Sequence, residues 1–143
     1  MNNIKLENKP SVTYQASNKS NDQLYILKTL LKNHLISILP EKGQSLHQVA
    51  SYHFKDFGKM LRGTTSLAIA SAIGLNEDAA INWALSVELM HNASLVHDDV
   101  CDEDSQRRYN PTIFANFGAP LAICFGDWLV AKSFEHAALA AKD

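Results

Sequence analysis

Apolar residues recur at spacings of three and four along much of the chain after residue 21, and this periodicity constrains the fold most. The segment "NDQLYILKTLLKNHLISILP" shows the pattern of an amphipathic helix. We expect Asn21 or Asp22 to cap the start of this helix and Pro40 to limit its end. Its apolar stripe consists of Leu24, Leu27, Leu31, Leu35 and Ile38.

Further helices are predicted in the segments "GQSLHQVASYHFKD", "KMLRGTTSLAIASAIG", "NEDAAINWALSVELMHNASLVHDD" and "APLAICFGDWLVAKSFEHAALAAKD". Gly74 is expected to stop the second of these, and Asn76 to cap the third. The segment "RRYNPTIFANFG" is predicted to be a loop with at most a short helical turn. No alternating strand pattern and no internal repeat are found, so the predicted fold class is all-α. The last helix carries few charges, and its stripe of Trp128, Phe134 and Leu139 is expected in the core.

Length and composition place further bounds on the chain. Its 143 residues suit one domain, in which polar residues 1–20 form a disordered tail and residues 21–143 the helical part. A net charge of -2 and a pI near 6.3 argue against a general nucleic-acid binder. Two cysteines fit a reducing compartment, the N-terminus lacks the apolar core of a secretory signal, and the longest apolar stretch is too short for a membrane span. We therefore expect a cytoplasmic protein.

The segment "LVHDDVCDEDSQRR" concentrates negative charge at the end of a predicted helix. Asp98 and Asp102 are four residues apart and share a helix face, with Asp99 beside them. Mg²⁺ would relieve their repulsion, because it prefers oxygen ligands and shares carboxylates with substrate phosphates. Arg107 and Arg108 offer planar donors suited to phosphate oxygens. The alternative is a solvated helix end whose acids pair with the two arginines.

The flanks of these aspartates resemble a known family. The stretch "LVHDDVCDEDSQRRYNPT" is similar to the first aspartate-rich motif of the trans-isoprenyl diphosphate synthases, the polyprenyl synthetase family of farnesyl and geranylgeranyl diphosphate synthases. That motif reads D-D-x-x-D followed by R-R and P-T. The matching positions are Asp98, Asp99, Asp102, Arg107, Arg108, Pro111 and Thr112.

Three other segments resemble the same family in the same order. "FGKMLRG" looks like G-G-K-R-x-R-P, "ELMHNASLVHDD" resembles the helix that leads into the aspartates, and "FGDWLVAKSFE" resembles G-D-x-L-x-x-x-A-x-E. Taken alone, a lysine, an arginine or a histidine of this kind is more often a surface cation or a satisfied core residue. The matches are Gly58, Lys59, Arg62 and His91, and the departures are Phe57, Met60 and Gly63.

The resemblance implies an antiparallel helix bundle of the isoprenoid-synthase type and a Mg²⁺-dependent prenyltransferase of isoprenoid biosynthesis. Such an enzyme joins an allylic diphosphate to isopentenyl diphosphate. Asp98 and Asp102 would bind Mg²⁺, Asp99 would support them, and these three would be the catalytic residues. Arg107 would hold the allylic diphosphate. The isopentenyl diphosphate would be held by Lys59, Arg62, His91 and Arg108.

The resemblance also implies which residues influence product length. In this family the growing hydrocarbon runs beside the helix positions before the first aspartate, which here are Ala93 and Ser94. Neither side chain is bulky, which favours products longer than farnesyl. Met90, one turn deeper, is a candidate floor.

The family's second aspartate-rich motif is missing from these 143 residues, because no second D-D-x-x-D can be built from the acids after Asp104. We therefore expect the chain to be a truncated synthase, or a half that needs a partner chain, in a homodimer or a heteromer. The alternative is a non-catalytic or regulatory subunit that binds a prenyl diphosphate synthase. The departures at Phe57, Met60 and Gly63 slightly favour weakened isopentenyl binding.

Overall fold

The computed structural model describes the backbone of residues 12–142 and the side chains from residue 22 to residue 142. Helices dominate this part of the chain, and the prediction of an all-α fold is confirmed. One short hairpin interrupts the helices. The elements are α1 (Val12–Ser37), α2 (His47–His53), α3 (Leu61–Ala72), α4 (Glu77–Cys101), β1 (Gln106–Arg107), β2 (Asn110–Pro111), α5 (Ile113–Phe117) and α6 (Ala119–Ala140).

Helices α4 and α6 form the centre of the core and run antiparallel. Hydrogen bonds between them join residues early in α4 to residues late in α6: Asn82 to His136, and Ser86 to Ser133. Helix α3 packs on another side of α4, and α1 contacts both α3 and α4. The largest fully buried side chains come from three of these helices: Leu31, Leu35, Leu85, Leu89, Phe125 and Leu129.

Several expected helix boundaries are confirmed and one is wrong. Asn76 caps α4 through its side-chain oxygen, which accepts the backbone N–H of Ala79 at 2.8 Å, and Gly74 follows α3 with φ of +83°. Helix α1 begins at Val12 rather than at Asn21 or Asp22, so part of the expected tail is helical. Residues 1–11 of that tail lie outside the described residues.

The expected burial of the last helix is wrong for two of its three aromatic and apolar positions. Phe134 is 65% exposed and Leu139 is 36% exposed. Trp128 is half-buried and stacks on Phe125, with the ring centroids 5.9 Å apart. Helix α6 packs on α4, α5 and α2. Its remaining face has no neighbour among the described residues, and an apolar composition alone does not bury a helix face.

The segment after α4 is more ordered than the predicted loop. Gln106 pairs with Pro111 and Arg107 with Asn110 in an antiparallel hairpin. The two turn residues, Arg108 and Tyr109, have φ of +51° and +66°, as a tight hairpin turn of two residues requires. The hairpin places two arginines close to the end of α4. Across residues 12–142, no helix combines the length and apolarity that crossing a membrane requires.

Candidate functional site

Three cationic side chains and one histidine, from three separate regions of the sequence, line a single cavity of ≈ 450 Å³. Lys59 lies in the loop before α3, Arg62 in the first turn of α3, His91 in α4 and Arg108 at the tip of the hairpin. Positive groups converging on one concave surface suit an anionic ligand. These four are the residues that sequence analysis assigned to isopentenyl diphosphate.

Arg62 and His91 contact each other across the cavity wall. The Nη1 atom of Arg62 lies 3.1 Å from Nε2 of His91. Because a guanidinium group can only donate, Nε2 of His91 accepts, and the ring proton of the neutral imidazole is on Nδ1. Burial lowers the pKa of His91, and the charge of Arg62 lowers it further. His91 is therefore a neutral side chain in this arrangement at pH 7.

In the loop before α3, both backbone polar groups of Gly58 form hydrogen bonds to side chains. The N–H of Gly58 donates to Oδ1 of Asp56 at 2.8 Å, and Nζ of Lys28 on α1 donates to the carbonyl oxygen of Gly58 at 2.7 Å. The guanidinium group of Arg108 lies directly against Gly58, where a Cβ atom would overlap it. Sequence analysis missed Lys28, because nothing in the α1 pattern distinguishes it from a solvated lysine.

Two departures from the family pattern have structural explanations. Phe57, in a glycine position of the motif, packs against Phe54 with the ring centroids 5.5 Å apart, and Nζ of Lys32 lies 4.8 Å from its ring centroid. Met60 has φ of +51° and is 3% exposed. Both side chains therefore contribute to packing. Met60 lines the cavity at the motif's arginine position, so this departure leaves one basic side chain fewer there than the motif has.

Asp99 and Arg107 form an ion pair beside this cavity. Both Nη2 and Nε of Arg107 donate to Oδ1 of Asp99, at 2.7 Å and 2.8 Å. Asp99 is 5% exposed, and its hydrogen bond raises the pKa of Arg107. Asp99 is thus neutralised by an arginine, and only part of the donor capacity of Arg107 remains for an anion.

A smaller cavity of ≈ 80 Å³ adjoins this pair and includes His53 and Asn92, which sequence analysis did not select. The Nε2 atom of His53 lies 2.8 Å from Oδ1 of Asn92. Burial lowers the pKa of His53. The neutral ring therefore donates to the amide oxygen, while the amide nitrogen of Asn92 donates to the backbone oxygen of Glu88 at 2.8 Å. These hydrogen bonds fix the side chain of Asn92, which lines both cavities.

Asp98 and Asp102 lie at the C-terminal end of α4 and are both exposed. Neither forms an ion pair with another described residue. No group of three His, Cys, Asp or Glu side chains in the described part of the chain is arranged to hold a metal ion. Two free carboxylates at the negative end of a helix nevertheless fit Mg²⁺, which commonly takes one or two protein carboxylates and completes its coordination with water and phosphate oxygens.

The two residues predicted to affect product length differ in burial. Ala93 is 1% exposed and belongs to the core of the helices. Ser94 is exposed, and its hydroxyl donates to the backbone oxygen of His91 at 2.8 Å. Met90, Ser94 and Asp98 follow one another at intervals of four residues and are all exposed, so they form one stripe along α4.

His97 packs behind the aspartates against α6. Its Nε2 atom is 3.4 Å from Oδ1 of Asp127, and its ring occupies the space that a side chain on residue 126 would need. Gly126 and Asp127 belong to the "FGDWLVAKSFE" segment. The glycine therefore allows α4 and α6 to approach each other next to the aspartates.

Comparison with known proteins identifies the family. The family model described as Polyprenyl synthetase matches residues 43–142. The chain belongs to the polyprenyl synthetase family. The match includes the loop before α3, the aspartates and the hairpin, so the family resemblance seen in the sequence is confirmed.

Named relatives of this polyprenyl synthetase chain include short-chain synthases from archaea and bacteria. It is 41% identical over 95 residues to a geranylgeranyl pyrophosphate synthase of Geoglobus acetivorans, covering 66% of this chain and 30% of that protein. It is 37% identical over 101 residues to a (2E,6E)-farnesyl diphosphate synthase of Mycobacterium tuberculosis, covering 63% and 28%. The chain therefore spans about 30% of the length of such relatives.

Solved structures agree with the fold. The heptaprenyl diphosphate synthase of Staphylococcus aureus superimposes with a TM-score of 0.74 at 29% identity, over 84% of this chain and 38% of that one. A geranyltranstransferase of Thermotoga maritima gives a TM-score of 0.76 at 26% identity, over 82% of this chain and 46% of that one. The helices described above thus correspond to part of a larger isoprenoid synthase fold.

Proposed function

We propose that this chain provides the part of a trans-prenyltransferase that binds two diphosphate substrates, in a reaction that joins an allylic diphosphate to isopentenyl diphosphate. In that reaction the C–O bond of the allylic diphosphate breaks, the isopentenyl double bond forms the new C–C bond, and a proton is lost. The family membership and the named relatives support this class of activity.

The observation that carries the proposal is the shared cavity of Lys59, Arg62, His91 and Arg108. These side chains come from a loop, α3, α4 and the hairpin turn, and folding brings them to the same cavity. We assign isopentenyl diphosphate to this cavity. Lys59, Arg62 and Arg108 offer charge-assisted hydrogen bonds to its phosphate oxygens. His91 keeps Arg62 directed toward the cavity and donates through Nδ1 if it turns toward the ligand.

We assign the allylic diphosphate to the neighbouring end of α4. Asp98 and Asp102 would hold Mg²⁺ there, because their carboxylates are free while that of Asp99 is paired with Arg107. Mg²⁺ supplies positive charge for the leaving diphosphate when it is bound. Asp99 fixes the guanidinium of Arg107 through two hydrogen bonds, so the arginine is oriented toward this diphosphate before the substrate arrives.

The stripe of Met90, Ser94 and Asp98 suggests where the hydrocarbon lies. A tail that starts at a diphosphate near Asp98 and follows the exposed face of α4 passes the small Ser94 and meets the larger Met90 one turn further on. On this helix we therefore propose that the small Ser94 permits elongation and that Met90 limits product length. Ala93 lies inside the helix core and would act only through the packing behind this face.

Pyrophosphate binding tests the division between the two sites. In isothermal titration calorimetry, pyrophosphate is expected to bind without metal and to bind at least about tenfold more tightly with Mg²⁺. The double substitution Asp98→Asn/Asp102→Asn should abolish the gain from Mg²⁺ only. Lys59→Gln/Arg62→Gln should weaken the binding measured without metal.

The matched control is Glu103→Gln/Asp104→Asn, which removes two negative charges from the same segment but leaves the aspartate spacing intact. This control should keep the full gain from Mg²⁺. A wild-type chain that binds no pyrophosphate in either condition would overturn the proposal and favour a vestigial site in an interaction subunit. Loss of the Mg²⁺ effect in the control as well would overturn the assignment to Asp98 and Asp102.

A further inference from the structure

We propose that Glu88 is a positioning residue, which uses the backbone N–H of Gly63 to hold the first turn of α3 and thereby to direct Arg62 into the diphosphate cavity. This inference rests on the proposed function for the role of the cavity. Neither residue was selected as a site residue by the sequence motifs, and Gly63 was noted there only as a departure from the family's proline.

The first turn of α3 lacks a cap of its own. The residue before the helix is Met60, which has a left-handed backbone conformation and makes no side-chain capping bond. The first N–H groups of a helix have no partner within the helix, so a helix start in the protein interior needs an acceptor from elsewhere. Gly63 is one of the first residues of α3, and it is buried.

Glu88 provides that acceptor from α4. Its Oε2 atom accepts the N–H of Gly63 at 2.8 Å, and the residue is 4% exposed. A carboxylate near a helix N-terminus is further stabilised by the helix dipole. Glu88 forms no ion pair with any residue whose side chain the structure describes. Burying such a group is costly; the backbone hydrogen bond and the cations lining the same cavity offset that cost.

Little space is left for a side chain at residue 63. A Cβ atom on residue 63 would lie 2.5 Å from Cδ2 of Leu31, 3.0 Å from Cβ of Glu88 and 3.1 Å from its Oε2. The proline that the family motif has here would also remove the N–H that Glu88 binds. The departure at Gly63 therefore comes with a hydrogen bond that the motif residue could not form.

The hydrogen bond between Gly63 and Glu88 lies next to the contact between Arg62 and His91 that lines the cavity. Gly63 follows Arg62, and His91 lies one turn after Glu88 on α4. Two bridges therefore join the same short stretches of α3 and α4: Gly63 to Glu88 at 2.8 Å, and Arg62 to His91 at 3.1 Å. If the first bridge is lost, the backbone of Arg62 is no longer fixed relative to His91, and the second bridge should loosen with it.

Three substitutions of Glu88 distinguish its positioning of Arg62 from the effect of its charge and from its contribution to the stability of the fold. Glu88→Gln removes the charge and keeps an oxygen acceptor, Glu88→Ala removes both, and Glu88→Asp keeps the charge but shortens the side chain. The first readout needs no ligand: NMR of the His91 imidazole nitrogens reports whether Nε2 accepts and Nδ1 carries the proton. The second readout is pyrophosphate affinity without metal. Thermal unfolding identifies the temperature range in which each variant is folded.

We expect Glu88→Gln to keep the Nδ1–H tautomer of His91 and a pyrophosphate affinity no more than about threefold weaker than wild type. Glu88→Ala should lose the tautomer preference and bind pyrophosphate about tenfold more weakly. Glu88→Asp, which perturbs folding less than Glu88→Ala, should show a smaller loss of the tautomer preference and a smaller loss of pyrophosphate affinity. In an Arg62→Ala background, Glu88→Ala should have no further effect on affinity.

A folded Glu88→Asp or Glu88→Ala chain that keeps both the tautomer and the affinity overturns the inference, because a purely structural glutamate would change the melting temperature alone. Equal effects of Glu88→Gln and Glu88→Ala on the tautomer also overturn it, since they would assign the effect to charge. Failure of the proposed function is distinct: wild type would then not bind pyrophosphate, while the tautomer comparison would still give a result.

Discussion

The guanidinium group of Arg108 lies directly against the α-carbon of Gly58, in the space that a side chain at residue 58 would occupy. This contact brings the tip of the hairpin to the loop before α3, although the two residues are 50 positions apart in the sequence. Gly58 also has φ of +58°, which is a left-handed conformation that favours glycine. The close approach leaves no space for a Cβ atom, and the backbone conformation adds a cost for any residue that has one.

Gly58→Ala should therefore lower the free energy of unfolding and displace Arg108 from the cavity. The left-handed backbone alone costs about 1–2 kcal/mol for a residue with a Cβ atom. Gly74→Ala is the matched control, because Gly74 has φ of +83° and nothing within 4 Å of its Cβ position. Chemical denaturation should show a loss in both variants, whereas calorimetry should show weaker pyrophosphate binding only in Gly58→Ala. Equal affinities in the two variants would contradict the role of the contact.

Asp99→Ala should destabilise the chain, whereas Asp98→Ala at the neighbouring position should not. Asp99 is buried and receives two hydrogen bonds from Arg107, so its removal should cost about 1–3 kcal/mol. Asp98 is exposed at the negative end of α4 without an ion-pair partner in the described chain, so its removal should be neutral or slightly stabilising. Urea unfolding without Mg²⁺ measures both, and similar losses would argue against this difference.

Thr112 should be important for stability through its hydroxyl group. The oxygen accepts the N–H of Ala115 at 3.0 Å as the cap of α5, and the hydroxyl donates to the backbone oxygen of Asp104 at 2.7 Å. Thr112 is 3% exposed. Thr112→Val, which keeps the shape, should cost about 1–2 kcal/mol, and Thr112→Ser should retain most of the stability. Thermal unfolding of the pair checks this, and an equally unstable serine variant would assign the effect to the methyl group instead.

Stability should increase as the pH rises toward about 6.5 because of His136. Its Nδ1 atom lies 2.7 Å from Oδ1 of Asn82, and Nε2 is buried without a partner in the described residues. Burial lowers the pKa of His136 below its ordinary value of 6.5. The unfolded chain therefore takes up a proton at higher pH than the folded chain does, so this contribution is complete above about pH 6.5 and declines as the pH falls toward the folded pKa.

The measurement is the free energy of unfolding against pH for wild type and for His136→Gln, which keeps a polar group at this position without a titrating ring. Removal of His136 should flatten the curve below about pH 6.5. His53 and His91, whose pKa values are also lowered by burial, should provide the remaining slope. An unchanged slope in His136→Gln would show that this histidine is not responsible.

Local signals in the sequence were sufficient for much of this protein. Helix periodicity, the Asn76 cap and the Gly74 stop depend on residues a few positions apart, and these predictions are confirmed. The family motifs likewise selected the four residues that line one cavity, because motif matching carries positional information that composition lacks. Helix α1 began earlier than predicted, since its polar first part contains no apolar signal.

Other properties depended on contacts between distant segments. The motif predicted different roles for Asp98 and Asp99 but did not show that Asp99 pairs with Arg107, because this pairing depends on where the hairpin places the arginine. The exposure of Phe134 depends on which helices pack around α6. The hydrogen bond of the Gly63 N–H depends on Glu88, which is 25 residues away in the sequence. Sequence alone determined the helices and the family, since these follow from local spacing. Only the tertiary structure decided which charges are neutralised, since ion pairs and buried acceptors form between segments that folding brings together.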